Sequence, residues 1–304
     1  MSLSEEESLV SRVAVIMNYF NGHEYLEESL GSLIKQKPPF TLYFVNNASP
    51  VDPTNVLNKF KAHFPIKYLH LKQKVKLYEA RNIACGLAVE PFISFLDVDD
   101  VWKEGKLEIQ AMEHEISGAA LSFTWFECFS NVPNGVRRVP HLSTRYGIPV
   151  SANELASRYS VAMSSVMVSR AAFEQLEGFD SSYEVIGDFD LVLRASEELK
   201  VVQIRKSLVR IRLHSLSTGH LGRKGQAEEL SSWVQEKAAQ FNQHRSLERS
   251  IEAETSFLHY LAQPELAPKA LFATLKNIRT PLRGLAVLRV AAQRLVAVLR
   301  GNVG

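Results

Sequence analysis

The sequence predicts an α/β fold, a mostly parallel sheet flanked by helices, with a helical C-terminal extension. Three observations predict it. Short β-branched runs alternate with amphipathic stretches up to Trp102. Three of the four runs end in polar clusters, as strands do where a parallel sheet opens its ligand crevice. Beyond Gly225 the pattern is helical to the end. Strand–helix alternation of this kind puts helices on both faces of the sheet.

The elements follow in order. Arg12 to Asn18 is a buried strand that ends in Tyr19-Phe20-Asn21-Gly22. Leu26, Leu30, Leu33 and Ile34 then share a helix face, and Asn21 with Glu24 resembles a capping box. Thr41 to Val45 is the second strand, stopping at Asn46-Asn47-Ala48-Ser49. Asp52 reads as an N-cap and Pro53 as the first helical position before Val56, Leu57 and Phe60. Ile66 to Leu71 is the third strand; Tyr78 to Ala88 is a helix with Ala80, Ala84 and Leu87 inward. Phe92 to Leu96 is the fourth strand, and Asp97-Val98-Asp99-Asp100 follows at once.

After Trp102 the rhythm changes. A helix is expected over Lys103 to Ile116, with strands near Ala120 to Cys128 and Val161 to Val168. Short helices are expected over Ala171 to Leu176 and Asp188 to Leu199. A strand pair, Val201 to Ile204 and Leu208 to Leu213, closes the region. The expected division is a catalytic domain over 1–220, with halves 12–102 and 103–220, and a helical extension over 221–304.

With 46% hydrophobic and 22% charged residues the chain reads as a soluble globular protein. Its two cysteines, Cys85 and Cys128, are too few for a disulfide framework, so reduced thiols and a cytoplasmic setting are expected. The early residues Glu5, Glu6 and Glu7 do not read as a signal sequence, and no apolar run is long enough to span a membrane. The net charge of +2 hides an asymmetry: Lys269, Lys276, Arg279, Arg283, Arg289, Arg294 and Arg300 lie in a stretch without acidic residues, so the body is net acidic. Leu285, Leu288, Ala292, Leu295, Val296 and Leu299 form one stripe there. One reading is an interfacial helix over 282–300 at the inner face of an anionic membrane; the other packs it on its own domain or on a partner chain, a second copy included. The basic end lacks interleaved aromatics, which argues against nucleic acid.

In an extended chain Asp97 and Asp99 point to one side. Paired carboxylates repel unless a cation or donors lie between them, and oxygen ligands suit Mg²⁺ or Mn²⁺. An acidic turn that caps the next helix is the plainer alternative. Asp188 similarly reads as a helix cap or as a general base. Asp190 and Arg194, four apart, read as a structural ion pair.

In order, the stretches VAVIMNYFNGHEYLEESLGSLIKQ, FVNNAS, EARNIACGLA, FISFLDVDDVW, GFD, IGDFDLVLR and RIRLHSLS resemble the family 2 glycosyltransferases, which adopt the GT-A fold. The resemblance runs from Val13 to Ser217. It implies an inverting transfer of a sugar from a nucleotide-diphospho-sugar, UDP first, to a saccharide or lipid-linked hydroxyl acceptor. By resemblance Asn18, Tyr19 and Phe20 line the base and ribose, Asn47 replaces a base-reading aspartate, and Arg81 with Asn82 lies near the phosphates. Asp99, Asp97 and His214 are the metal and diphosphate candidates, and Asp188 the base. Asn46-Asn47 stands where the family carries two acidic residues, so a non-catalytic nucleotide-sugar-binding scaffold is the alternative class. A nucleotidyltransferase is the alternative enzyme; Asn18 to Gly22 is not its glycine-rich phosphate loop.

Overall fold

The computed structural model describes residues 12–37, 39–129, 136–138, 150–157, 159, 161–213, 223–242, 245–249, 251–252 and 255. The chain divides into two compact units, Met1–His214 and Ser215–Gly304. In the first, four strands are joined by three helices: β1 Val13–Tyr19, α1 His23–Gly31, β2 Phe40–Asn46, α2 Thr54–Phe60, β3 Ile66–His70, α3 Leu77–Leu87 and β4 Phe92–Phe95. There follow β5 Val101–Trp102, α4 Lys106–Ser117, β6 Leu121–Phe129, β7 Val136–Arg138, α5 Ala152–Ser157, β8 Val166–Ser169, α6 Arg170–Gln175, α7 Gly187–Glu198 and β9 Val201–Arg212.

One mixed sheet runs β3-β2-β1-β4-β8-β6-β9-β5, with β7 paired to β6. The first four strands are mutually parallel, as expected from their alternation with helices. Antiparallel pairing of β4 with β8 joins the second half to the first. Val13, Val15, Met17, Leu42 and Phe44 meet Leu26, Leu30, Val56, Leu57 and Phe60 in the core. Burial on this scale, at ~25 cal/mol per Å² of apolar surface, is the main favourable term in folding.

Four local expectations need correction. Asn21 does not cap α1: Gly22 occupies that position at φ 71°, with no side-chain cap bond. A Cβ on Gly22 would lie 2.8 Å from a Val98 methyl, so the first crossover turn packs directly on the acidic turn. Leu87 is 53% exposed, and Tyr78, Arg81 and Cys85 face inward beside Ala80 and Ala84. Asp52 accepts from the Thr54 N–H at 3.0 Å, but the helix starts one residue later than read. The strand pair at 201–213 is one strand, β9, parallel to β6. Its register shifts beside Trp125, where exposed Arg205 and Lys206 bulge outward; that charged pair imitates a turn.

In the second unit a helix α8, Arg223–Lys237, leads into a single 3-10 turn at Ala238–Gln240. Trp233 is fully buried and packs on Phe241 with ring centroids 5.2 Å apart. The stripe at 282–300 lies outside the described residues. Among those described, no helix is long and apolar enough to cross a membrane.

Candidate active site

The acidic turn lies at the carboxyl end of β4. Its backbone is not extended: the Asp100 N–H donates to the Asp97 carbonyl at 3.1 Å, closing a turn around Val98 and Asp99. The same-side argument for Asp97 and Asp99 therefore fails, because alternation holds only in a strand. Three side chains fix the turn. Ser164 Oγ accepts from the Asp97 N–H at 3.0 Å and donates to Asp100 Oδ2 at 2.6 Å. The Arg212 N–H donates to Asp100 Oδ1 at 3.0 Å, and Arg212 Nε–H to the Asp99 carbonyl at 3.0 Å. Arg212 also pairs with Glu28 and lies over Tyr25 and Phe129. Trp102 Nε1–H donates to the Ser164 carbonyl at 2.8 Å, tying β5 to the same point.

The three carboxylates thus separate by role. Asp100 is buried and structural; burial, then Asp99 and Asp97, push its carboxyl well above the ordinary range. Asp97 is half-buried and ion-paired to Arg81, whose guanidinium is 4% exposed. Asp99 is partly exposed.

Asp188 stands in the first turn of α7, partly exposed. Its Oδ1 accepts from the Phe189 N–H at 2.8 Å and the Tyr78 hydroxyl at 3.3 Å. Arg81 and Asp97 both lie within its electrostatic reach. Burial pushes its carboxyl up to about 6, against the Phe189 N–H, Arg81 and Tyr78, which hold it down. The turn after β4 and the start of α7, far apart in the chain, therefore meet in one cluster. Asp190 is fully buried and pairs with Arg194 at 2.8 Å, as the spacing predicts.

Gly187 precedes this base candidate for a steric reason. A Cβ there would sit 2.5 Å from the Tyr78 ring, inside any allowed contact. Gly187→Ala is expected to cost about 1–3 kcal/mol of stability through overpacking, checked by denaturant unfolding. An unchanged midpoint would show that the ring moves freely.

The residues expected around the nucleotide divide. Tyr19 is fully buried; it packs on Phe44 at 5.4 Å and its hydroxyl donates to the Val51 carbonyl at 3.0 Å. It is core, not crevice, because its place in β1 points it at the helix-covered face. Asn18 carries a buried Oδ1 with no hydrogen-bond partner among the described residues. Phe20 lies beneath the Lys74 ammonium, 4.1 Å from the ring centroid. Asn47 departs most from expectation. Its amide donates to the Val75 carbonyl at 3.0 Å and accepts from the Val75 N–H at 2.9 Å, so it pins the 71–76 loop. An ionised aspartate could accept but not donate, which gives the asparagine a reason the sequence did not disclose. Asn82 likewise grips Phe179 at 2.7 and 3.0 Å. His214 lies outside the described residues.

Among the described residues no three His, Cys, Asp or Glu side chains cluster closely enough to cage a metal. A Mg²⁺-type ion needs only one or two carboxylates when phosphate oxygens and water complete its shell. Partly exposed Asp99 has the oxygen chemistry for that requirement, while Asp97 is already paired with Arg81.

The profile of the family described as Glycosyl transferase family 2 matches residues 14–176, more than half of the chain. The chain belongs to glycosyl transferase family 2. The match covers the acidic turn and Arg81 and ends before Asp188, so that residue rests on geometry. The putative teichuronic acid biosynthesis glycosyltransferase TuaG of Bacillus subtilis is 30% identical over 116 residues, 38% of this chain and 46% of that protein. The chain thus spans less than half the length of that curated relative. Residues 1–349 of S. aureus TarS in complex with UDP-GlcNAc align with TM-score 0.67 and 17% identity, over 91% of this chain and 83% of that one. The mannosyltransferase PcManGT of Pyrobaculum calidifontis, in complex with GDP-Man and Mn²⁺, aligns with TM-score 0.60 and 17% identity, over 94% and 80%. These likenesses show the fold of the family 2 chain, which is GT-A.

Proposed function

We propose that this family 2 chain is an inverting glycosyltransferase that moves a sugar from a nucleotide-diphospho-sugar to a hydroxyl acceptor. The observation that carries the reading is the clustering of Asp188 with Arg81 and Asp97 around Tyr78. In this reading the acceptor hydroxyl attacks the anomeric carbon from the face opposite the diphosphate. Asp188 takes its proton as the new bond forms and the bond to the diphosphate breaks, inverting the centre. Arg81 lies where it can meet the negative charge of the departing group. A divalent cation held by Asp99 and Asp97 would supply Lewis-acid neutralisation of that charge.

The donor side rests on Asn18 and Phe20. The unpartnered Asn18 oxygen offers an acceptor to a ribose or base donor, and Phe20 offers a ring face. Asn47, which gives one N–H and one lone pair to Val75, keeps a second of each for a base, so UDP, GDP and dTDP are all admitted. TarS with UDP-GlcNAc supports UDP as the first candidate, and PcManGT with Mn²⁺ supports a metal. TuaG's name, a putative teichuronic acid biosynthesis glycosyltransferase, supports a role in polysaccharide synthesis. Placement at the inner membrane face is part of this proposal.

The test is binding. A thermal-shift screen of UDP, GDP and dTDP with Mn²⁺ should single out one nucleotide, since a ligand that binds only the folded state raises its melting point. Asp99→Ala should then weaken metal-dependent binding by about tenfold or more in calorimetry, with little change in its absence. Equal binding by wild type and variant with Mn²⁺ would remove the metal assignment. Binding without any sugar transfer or hydrolysis would favour the scaffold.

A further inference from the structure

Tyr78 has no part in the roles argued above, yet it lies against both Asp188 and Arg81. It stands in the first turn of α3 and is 2% exposed. Its ring packs on Phe179 at 5.2 Å, and the Arg81 guanidinium carbon lies 5.4 Å from the ring centroid. The ring also fills the space above Gly187 that any side chain would need. Its hydroxyl lies 3.0 Å from the Val185 carbonyl and 3.3 Å from Asp188 Oδ1. One phenolic hydrogen serves both acceptors, and an ionised carboxylate is the stronger of the two.

We propose that Tyr78 is a positioning residue for the transfer: its ring, seated on Gly187, sets the entry of α7, and its hydroxyl holds Asp188 Oδ1 so that Oδ2 takes the proton. This rests on Asp188 being the base. Two donors converge on Oδ1, the Phe189 N–H and the phenol, and together they fix the plane of the carboxylate. The same ring bears on Arg81, which pairs with Asp97, so one aromatic side chain spans the donor and acceptor sides. The bond to the Val185 carbonyl anchors the phenol, and from that anchored place its hydroxyl reaches Asp188 Oδ1.

The groups facing Asp188 are Tyr78 and Arg81 of α3, Asp97 after β4, and the Tyr159 phenol after α5. The Tyr159 hydroxyl is buried and makes no hydrogen bond of normal geometry among the described residues. Removing the Tyr78 donor should make the Asp188 carboxylate harder to form.

The test uses the full chain with ¹³C-labelled aspartate carboxyls, Asp188 being assigned by its loss in Asp188→Asn. In Tyr78→Phe the Asp188 titration midpoint should rise by about half a unit or more, since a hydrogen bond to the charged form favours it. Gly187→Ala, which displaces the ring, should move it the same way. With any donor that supports turnover, Tyr78→Phe should lower kcat roughly tenfold and leave the donor KM unchanged. An unmoved midpoint in Tyr78→Phe overturns the proposal, whatever the activity. Normal turnover in Asp188→Asn overturns instead the reading it rests on, and the two failures are told apart by which variant shows them.

Discussion

Asp188→Asn is expected to lower turnover by about 10²–10⁴-fold while making the folded chain more stable at neutral pH. Both effects come from one carboxylate. A base must be ionised before it accepts a proton, and burial raises this carboxyl to about 6 from 3.8. Activity should therefore rise with pH along an acid limb near 6. Stability should move the other way. A carboxyl raised in the folded state binds more protons there than in the unfolded chain between about pH 4 and 6. Its contribution is fully present below the unfolded value and is lost as pH rises through the folded one. At pH 7 the ionised form costs about 3 kcal/mol from the shift, less because the side chain is partly exposed. An amide keeps an acceptor for the Phe189 N–H and the Tyr78 hydroxyl and carries no charge. The variant should gain about 1–3 kcal/mol at pH 7 and nothing at pH 3.5. Denaturant melts at the two pH values check this. A variant less stable at pH 7 would mean that the ionised carboxylate is a net structural asset.

Lys106→Met is expected to stabilise the fold by about 1–3 kcal/mol at neutral pH. Lys106 is fully buried in α4. Its ammonium donates to Ser94 Oγ at 2.8 Å and lies 4.0 Å above the Trp102 ring, and among the described residues no carboxylate pairs with it. Burial holds the amine well below its ordinary value of 10.5. The unfolded chain binds a proton that the folded chain resists, so wild-type stability should rise as pH climbs toward 10.5. Methionine has similar length and no charge, and Ser94 keeps its bond to the Val166 carbonyl at 2.8 Å. Thermal melts across pH 7–10 should show the gap closing in the variant's disfavour as pH rises. A methionine variant less stable than wild type throughout would show that the Ser94 and Trp102 contacts outweigh the buried charge.

The parallel half of the fold was legible because β1 and β2 are buried on both faces and read as near-continuous apolar runs. Val13–Tyr19 and Phe40–Asn46 begin and end close to where the runs do. The long β9 was not, since Arg205 and Lys206 carry the polarity of a turn while sitting in a bulge. Periodicity also failed at Asp97–Asp100, where the strand stops and the chain turns. The acidic cluster itself was visible as spacing, but its internal division was not. Which of three neighbouring carboxylates is buried depends on Ser164, in the turn before β8, and on Arg212, at the end of β9. The Tyr78–Gly187 contact was beyond reach for the same reason: neither residue carries a pattern, and only the fold puts a ring over a missing side chain.

The antiparallel seam between β4 and β8 sets Ser94 opposite Met167. Asp97 follows β4, and Ser164 lies just ahead of β8, so this register is the ruler by which the serine finds the aspartate. A single inserted residue in either strand would slide the two apart by about 3.4 Å, more than a hydrogen bond tolerates. Evolution or design can therefore rewrite the exposed loops of this chain far more freely than it can change the length of those two short strands.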